Sequence, residues 1–308
     1  MIAIVGPTAV GKSALALHLA QYLPAEIISA DSRQVYRYMD IGTSKPSLAE
    51  RAMVPHHLID VVDPDEDFSL AMYHQLAAEA LEAISQRKKL PIVVGGSGLY
   101  VWSLIEGWRI PQVPPDRKLR HELEARAQRE NSHTLYRELQ VIDPVAAEKI
   151  GPRNVRRIIR ALEIYQATGK PPSQLQGKEP PSFRVVVIGL TLERTELYRR
   201  IDARVDKMVQ SGLVEEVGEL LKRGYSLSLP SMSGIGYRQI GQFLQGKTSL
   251  DEAVDRIKHE THRLARHQYA WFRPDDNRIC WFDASDGPTG ATTLILKEVK
   301  RHVERLLS

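Results

Sequence analysis

A glycine-rich segment near the N-terminus constrains the fold of this chain more than any other feature. The segment consists of Gly6, Pro7, Thr8, Ala9, Val10, Gly11, Lys12 and Ser13. It matches the pattern G-x-x-x-x-G-K-[ST] of a phosphate-binding loop, with a strand-like run before it and helical spacing after it. Backbone N–H groups of such a loop turn towards an anion, Lys12 would add a charge, and Ser13 would offer its hydroxyl to Mg²⁺. The motif predicts a phosphate site without defining whose phosphates it binds.

Apolar runs alternate with helical segments along most of the chain. The strand-like runs are residues 2–5, 26–29, 57–62, 90–94, 184–190 and 278–282, and helical spacing marks residues 12–22, 69–86 and 196–222. Strands that alternate with helices favour a parallel sheet with helices on both faces. We therefore predict an α/β fold in which a P-loop parallel-sheet core is covered by helices.

The alternation stops between Pro115 and Ser182, where helical patterns follow one another and no strand-like run appears. Prolines cluster at both ends of this segment, as expected of the joints between two domains. These boundaries predict a P-loop catalytic core formed by residues 1–114 and 183–308, with residues 115–182 as an all-helical insertion domain. A helical tail is expected over residues 294–307.

The charge of the chain is concentrated in the insertion. Residues 115–182 contain thirteen Lys and Arg against nine Asp and Glu, an excess that equals the net charge of +4 of the whole chain. A locally basic domain on a neutral body favours an anionic partner such as RNA, although a solvated helical surface would have the same composition.

The overall composition excludes several classes of protein. With 43% apolar and 26% charged residues, the chain is typical of a soluble globular protein. No stretch approaches the roughly 18 consecutive apolar residues of a membrane helix. Cys280 is the only cysteine, so the chain has neither an internal disulfide nor a cysteine-based zinc site. We therefore expect a cytoplasmic protein.

Two further predicted strands end in residues suited to chemistry. Asp31 follows the second run, and the loop Gly95–Tyr100, which contains Ser97, follows the run at residues 90–94. Ligands gather at the carboxyl ends of parallel strands, so both segments should lie beside the phosphate loop. The carboxylate of Asp31 could act as a general base, hold Mg²⁺ through water, or cap the following turn. The three glycines of the other loop allow a ligand to approach the backbone closely.

These residues alone fit two kinds of enzyme. One is a small-molecule kinase, in which the loop binds ATP and Asp31 activates an acceptor hydroxyl. The other is a transferase, in which the loop binds a diphosphate leaving group. The run at residues 90–94 leads into glycines instead of the aspartate of a usual second nucleotide-binding motif. The basic insertion is also large for a lid over a small acceptor.

Blocks spread over nearly the whole chain resemble the tRNA dimethylallyltransferase family. They are Gly6–Ser13, Ser29–Tyr36, Met39–Pro46, Pro55–Asp60, Val94–Tyr100, Asp143–Pro144, Arg160–Glu163, Gly234–Gln239 and Trp271–Arg273. The phosphate loop is shared with many nucleotide-binding proteins, whereas Met-Asp-Ile-Gly-Thr-Ser-Lys-Pro at residues 39–46 is far more specific.

The resemblance implies the transfer of a dimethylallyl group from dimethylallyl diphosphate to N6 of adenosine 37, next to the anticodon of tRNAs. It implies that residues 6–13 bind the diphosphate and that the catalytic residues are Asp31 as base, Arg204 as a diphosphate contact and Ser97. Mg²⁺ would bind Ser13, with Asp31 joining through water. The family usually has threonine at the positions of Ser13 and Ser97, and serine keeps the hydroxyl.

The resemblance also assigns residues to the tRNA anticodon stem-loop. They are Asp31, Ser32, Arg33, Gln34, Ser97, Val155, Arg156, Arg157, Ile158 and Ile159. Arg156, Arg157 and Arg160 would contact RNA phosphates, and the target base would be flipped into the core. Residues 261–268 resemble another RNA-facing segment, although His262 and His267 stand where the family usually has basic residues. No membrane or protein partner is expected, and the chain should act as a monomer.

Two other functions stay open at this point. Prenyl transfer to free adenine nucleotides is a related activity, but it would not need a basic insertion. A P-loop kinase or an RNA-binding NTPase would use the same loop for ATP.

Overall fold

The computed structural model describes residues 1–130, 132–179, 181, 183–287, 290, 292–293 and 295–297. It divides into two compact units. The first comprises residues 1–68, 72–104 and the described residues after 182. The second comprises residues 69–71 and the described residues of 105–181. Most of the predicted tail at residues 294–307 lies outside the described residues.

The strands are β1 (Ile2–Val5), β2 (Ala25–Ser29), β3 (His56–His57), β4 (Leu90–Val94), β5 (Trp108–Arg109), β6 (Gly177–Lys178), β7 (Val186–Thr191) and β8 (Ile279–Asp283). The helices are α1 (Lys12–Ala20), α2 (Leu48–Met53), α3 (Leu70–Gln86), α4 (Gly98–Ile105), α5 (Arg117–Glu130), α6 (Ser132–Ile142), α7 (Pro144–Ile150), α8 (Val155–Thr168), α9 (Pro172–Leu175), α10 (Arg194–Gln210), α11 (Leu213–Lys222), α12 (Tyr237–Leu244) and α13 (Leu250–Trp271), and a short 3₁₀ turn covers Ser231–Ser233.

The first unit is built on a six-stranded parallel sheet, which confirms the predicted α/β core. Its strand order is β3-β2-β4-β1-β7-β8, and every pairing is parallel. All residues of β1 and β2 are buried, as expected when helices cover both faces of a sheet. The phosphate loop follows β1, Asp31 follows β2 and the glycine loop follows β4. These three strands are neighbours, so their carboxyl ends place all three segments at one edge.

The third predicted strand, residues 57–62, is wrong for most of its length. Only His56 and His57 pair with β2. Leu58 and Asp60 have positive φ angles of 63° and 56°, which interrupt an extended strand. The apolar spacing could not reveal these two left-handed residues.

The predicted helix over residues 196–222 is two helices. The break lies at Gly212, whose φ of 100° is the left-handed conformation that favours glycine. α10 ends before this residue and α11 begins after it.

The second unit is mainly helical and has its own apolar core. The core is contributed by α5, α6, α7 and α8, with Leu135, Leu139 and Ile158 among its most buried residues. The insertion was expected to be all-helical, but β5 and β6 form a two-stranded antiparallel pair, with Trp108 opposite Lys178. Strands of two residues are too short to produce a sequence pattern. Because β5 belongs to this unit, the unit begins before residue 115, where the insertion was predicted to start.

A buried carboxylate braces the second unit. Glu163 on α8 accepts hydrogen bonds from Arg120 at 2.9 Å and from the backbone N–H of Asp116 at 2.6 Å, and it also pairs with Arg160. Burial by itself raises the pKa of Glu163, but the bonds from both arginines outweigh it, so the pKa lies below its ordinary value of 4.5.

We expect Glu163→Gln to lower the free energy of unfolding by about 2 kcal/mol at neutral pH, because two arginines lose their counter-charge. The loss is smaller than for a fully buried pair, since both arginines keep access to water. The contribution of a carboxylate with a lowered pKa is complete above pH 4.5 and is lost as the pH falls below it. Urea unfolding of each variant at neutral pH and at acidic pH tests this prediction. Glu148→Gln, which changes an exposed carboxylate of the same unit, is the control. Equal effects of the two variants would contradict it.

Candidate active site

The phosphate loop wraps around its own lysine. The ammonium of Lys12 donates hydrogen bonds to the carbonyls of Gly6 at 3.0 Å and Pro7 at 2.7 Å. Gly6 has a φ of 134°, and a Cβ there would lie 2.4 Å from the carbonyl oxygen of Leu190 on β7, so only glycine fits. Burial lowers the pKa of Lys12 to about 7, with a further decrease from the charge of Arg204 and an opposing effect of Asp31.

The other residues of the phosphate loop lie either in the apolar core or along the wall of a cavity. Val10 is buried in the apolar core beside β1, so its side chain anchors the loop. Ala9 and Gly11 adopt positive φ angles of 64° and 104°. Together with Lys12 and the exposed Ser13, they line a cavity of about 300 Å³.

Arg204 reaches the phosphate loop from α10. Its Nη1 donates to the hydroxyl of Thr8 at 3.2 Å, and its Nε donates to the hydroxyl of Ser44 at 3.0 Å. Burial lowers the pKa of Arg204 and Asp31 opposes this, but a guanidinium remains a cation at neutral pH. The cavity therefore has two basic side chains, Lys12 and Arg204, in its wall.

Asp31 lies where two cavities meet. Its Oδ1 accepts the backbone N–H of Arg33 at 2.8 Å, which closes a tight turn. Among the described residues no group is bonded to its Oδ2. Asp31 lines the loop cavity and also a second cavity of about 520 Å³. Thr8, Gly96 and Arg204 likewise line both.

The second cavity is larger and has a mostly apolar wall. Its apolar residues are Leu99, Tyr100, Ile201, Val205, Met208, Ile235, Ile257, Leu264 and Trp271. Asp31, Ser97 and Arg204 supply polar groups on the side nearest the phosphate loop. This arrangement suits a ligand with an anionic end and an apolar body.

The loops after β2 and β4 are locked together. Ser97 Oγ accepts the backbone N–H of Ser32 at 3.2 Å, and Ser97 donates its own N–H to the carbonyl of Ala30 at 3.2 Å. A Cβ at Gly95 would lie 2.0 Å from that carbonyl oxygen, so the approach requires glycine. Ser97 thus holds the segment that carries Asp31, and within the described part of the chain its hydroxyl has no acceptor.

Two of the residues assigned to RNA already have partners within the protein. Arg33 donates to the carbonyls of Pro230 at 2.7 Å and Ser231 at 3.2 Å. The amide of Gln34 accepts the hydroxyl of Ser29 at 2.8 Å and donates to the carbonyls of Thr43 and Ser44. Both side chains therefore position the site, and their contacts with RNA stay a prediction.

The predicted RNA segment on α8 has an exposed face and a buried face. Arg156 and Arg157 are exposed, and Val155 is half-buried. Ile158 and Ile159 are buried in the core of the second unit, so in this conformation their side chains are not available to RNA. Arg160 pairs with Glu163 and donates to the carbonyl of Val113 at 2.8 Å, and its contact with RNA stays a prediction.

The segment Met39–Pro46 is braced from two sides. Lys45 is buried and pairs with Asp40 at 2.7 Å and with Asp60 at 2.6 Å. Glu216 on α11 accepts the backbone N–H groups of Asp40, Ile41 and Gly42, together with the hydroxyl of Tyr237. Because Thr43 and Ser44 line the loop cavity, these braces shape its wall. Sequence reasoning missed Glu216, which lies more than 170 residues from the three backbone N–H groups that it binds.

Residues 261–268 have exposed and buried positions, and contacts of this segment with RNA stay a prediction. His267 is exposed and lines the larger cavity. His262 stacks on Tyr198 with ring centroids 4.1 Å apart, and its Nε2 lies 2.8 Å from a carboxylate oxygen of Asp202. Gln268 is buried, and it was also missed as a site residue.

The described residues contain no group of three or more His, Cys, Asp or Glu that could hold a metal ion. Within the same part of the chain, no helix has the length and apolarity needed to cross a membrane.

The fold and the loop define a P-loop α/β protein, and comparison with known proteins narrows this class. The family model described as IPP transferase matches residues 34–275. Relatives named tRNA dimethylallyltransferase include one from Roseiflexus castenholzii, which is 56% identical over 89% of this chain and 89% of its own. Another, from Thermomicrobium roseum, is 54% identical over 92% of this chain and 86% of its own. The chain belongs to the IPP transferase family.

Solved structures agree with this membership. The tRNA isopentenylpyrophosphate transferase from Bacillus halodurans has a TM-score of 0.71 and 41% identity, covering 100% of this chain and 99% of its own. A eukaryotic dimethylallyltransferase acting on tRNA has a TM-score of 0.80 and 32% identity, covering 93% of this chain and 74% of its own.

Proposed function

We propose that this protein transfers the dimethylallyl group of dimethylallyl diphosphate to N6 of adenosine 37 in tRNA. The observation that carries the proposal is the pair of cavities that meet at Asp31. One has phosphate-loop residues and the basic side chains of Lys12 and Arg204 in its wall, and the other is larger and mostly apolar. The names of its relatives, tRNA dimethylallyltransferases, favour the same reaction.

The donor side of the reaction is served by the phosphate loop. When the allylic carbon–oxygen bond breaks, both bonding electrons leave with the diphosphate and the carbon gains cation character. Loop N–H groups, Lys12 and Arg204 stabilise the negative charge that develops on the leaving group. The apolar cavity excludes water from the carbon, so that the amine of the target base can reach it.

The acceptor side is served by Asp31. The exocyclic amine of adenine is a poor nucleophile, and the removal of its proton during attack helps the new carbon–nitrogen bond to form. Oδ2 of Asp31 is the oxygen that accepts this proton, since Oδ1 is bonded to the backbone of Arg33. Ser97 and Gln34 hold the turn that orients the carboxylate.

Mg²⁺ is the metal that fits this site. Ser13 and Asp31 line one cavity. The hydroxyl of Ser13 would bind the ion directly and Asp31 would reach it only through water, since Mg²⁺ commonly takes one or two protein oxygens together with substrate phosphates and water. When bound, it would neutralise part of the diphosphate charge.

The basic second unit supplies the RNA contacts in this proposal. Arg156 and Arg157 lie exposed in the first turn of α8, where they would bind the backbone of the anticodon stem-loop. A tRNA substrate and a single cysteine both favour a cytoplasmic location, and we propose that the chain acts as a monomer.

One incubation separates the candidate functions. Purified protein is mixed with radiolabelled dimethylallyl diphosphate and either tRNA carrying adenosines 36 and 37 or AMP. We expect label in the tRNA only. Label in AMP would support transfer to free nucleotides, and ATP turnover without either product would contradict prenyl transfer.

The arginines of α8 give a second test. Arg156→Gln combined with Arg157→Gln should weaken tRNA binding and reduce the slope of log K against log salt by about 2, one unit for each lost phosphate contact. Filter binding at several salt concentrations measures the slope. Arg137→Gln, an exposed arginine on α6, is the control. An unchanged slope in the double variant would remove these residues from the interface.

A further inference from the structure

Gln268 connects the two glycine loops of the site. Its Oε1 accepts the backbone N–H of Thr8 at 2.7 Å, and its Nε2 donates to the carbonyl of Gly96 at 3.2 Å. Thr8 belongs to the phosphate loop and Gly96 to the loop after β4. The residue is only 8% exposed and comes from the long helix α13. A single amide group therefore bridges two loops that follow different strands.

The bridge is close-fitting and uses both ends of the amide. A Cβ at residue 96 would lie 2.0 Å from Nε2 of Gln268, so the approach depends on glycine at that position. The backbone N–H of Thr8 requires an acceptor, and the carbonyl of Gly96 requires a donor. The amides of Gln and Asn offer both in one small planar group, and Asn is one methylene shorter.

Each loop carries groups that the proposed reaction uses. On the donor side, Thr8 also accepts Nη1 of Arg204 at 3.2 Å. On the acceptor side, Ser97 directly follows Gly96 and holds the N–H of Ser32, next to Asp31, at 3.2 Å. A displaced bridge would shift the diphosphate site relative to the base. Misplacement of reacting groups by about 1 Å costs on the order of 100-fold in rate.

We propose that Gln268 is a positioning residue that fixes the distance between the departing diphosphate and the attacking nitrogen. This inference rests on the proposed prenyl transfer. When the spacing loosens, the carbon–oxygen bond of the donor still breaks, but water reaches the allylic carbon before the amine. The water oxygen bonds to that carbon and loses a proton to solvent, so the products are diphosphate and dimethylallyl alcohol.

Two variants and one ratio test the role. Gln268→Met keeps the length of the side chain and removes both hydrogen bonds, whereas Gln268→Glu keeps the acceptor and removes the donor. Gln245→Met, at the exposed end of α12, is the control. Each protein is incubated with radiolabelled dimethylallyl diphosphate and tRNA, and labelled alcohol and labelled tRNA are counted in the same sample.

We expect both Gln268 variants to lose about tenfold or more in kcat and to raise the ratio of alcohol to prenylated tRNA by about fivefold or more, with KM for tRNA unchanged. The ratio is set per turnover, so weaker donor binding or a smaller folded fraction does not move it. Circular dichroism shows which of the two Gln268 variants are folded, and one folded variant is enough for the test. An unchanged ratio would overturn the inference. A wild-type protein that makes no prenylated tRNA would instead contradict the proposed function.

Discussion

Replacing Asp31 with asparagine should lower kcat for tRNA prenylation by about 10²–10⁴-fold, the usual contribution of a general base. Asparagine has the same shape, and its carbonyl oxygen can still accept the N–H of Arg33, so the turn should survive. It cannot take a proton from the amine of adenosine. The loss should therefore appear in the chemical step.

Single-turnover transfer with saturating donor and tRNA measures that step, and a calorimetric titration with diphosphate measures donor binding. We expect the dissociation constant for diphosphate to stay nearly unchanged in Asp31→Asn. Asp65→Asn, an exposed carboxylate of the same unit, is the control. A parallel loss of diphosphate binding would show that Asp31 acts through a metal ion or through the fold.

Replacement of Lys12 is the second change for which we expect a large loss of kcat. Lys12→Met should lower kcat by about 10²–10³-fold, the cost of removing one group that stabilises a developing anion. The fold should tolerate this change, because among the described residues the lysine bonds to carbonyls of its own loop alone. Arg204 and the loop N–H groups remain and account for the residual activity.

The same lysine makes donor binding depend on pH. Its pKa is about 7 in the free protein, and a bound diphosphate would raise it, because an anion favours the charged ammonium. The complex then holds a proton that the free protein has lost above pH 7. Affinity should be constant below this pH and fall by up to about tenfold per pH unit above it.

Calorimetry of diphosphate binding from about pH 6 to about pH 9 tests this linkage. The ligand titrates as well, so the informative quantity is the difference between wild type and Lys12→Met at each pH. Buffers of different ionisation enthalpy should report proton uptake in the wild type. Parallel pH profiles for the two proteins would show that Lys12 is already charged before the donor binds.

The parts of the site that were predictable from sequence are local. The phosphate loop is a contiguous segment, and its glycines and lysine act through backbone geometry within eight residues. Asp31 and Ser97 were predictable for a second reason, because a parallel sheet brings the ends of β2, β4 and β1 to one edge. Neither argument needs a long-range side-chain contact.

The parts that were missed depend on contacts between distant residues. Gln268 meets Thr8 across 260 positions, and Glu216 meets Gly42 across 174. No periodicity or motif in a single sequence encodes such pairs. The breaks at Leu58 and Gly212 escaped for another reason, since apolar spacing does not record a positive φ.

The sequence did contain a signal for the buried face of α8. Ile158, Ile159 and Leu162 occupy one apolar stripe of α8, with Arg156 and Arg157 outside it. Helical periodicity alone would have assigned the isoleucines to a core and the arginines to a surface. The resemblance to RNA-contacting residues in the family covered the whole segment and hid this distinction.

The central claim is that the donor diphosphate occupies the phosphate loop with its allylic carbon facing Asp31. A crystal structure with an unreactive thio analogue of dimethylallyl diphosphate and an anticodon stem-loop tests it most directly. We predict the diphosphate within hydrogen-bond distance of the loop N–H groups and Arg204, the prenyl chain in the larger cavity, and N6 of adenosine 37 bonded to Asp31. A diphosphate bound elsewhere, or a target amine out of reach of Asp31, would contradict the account.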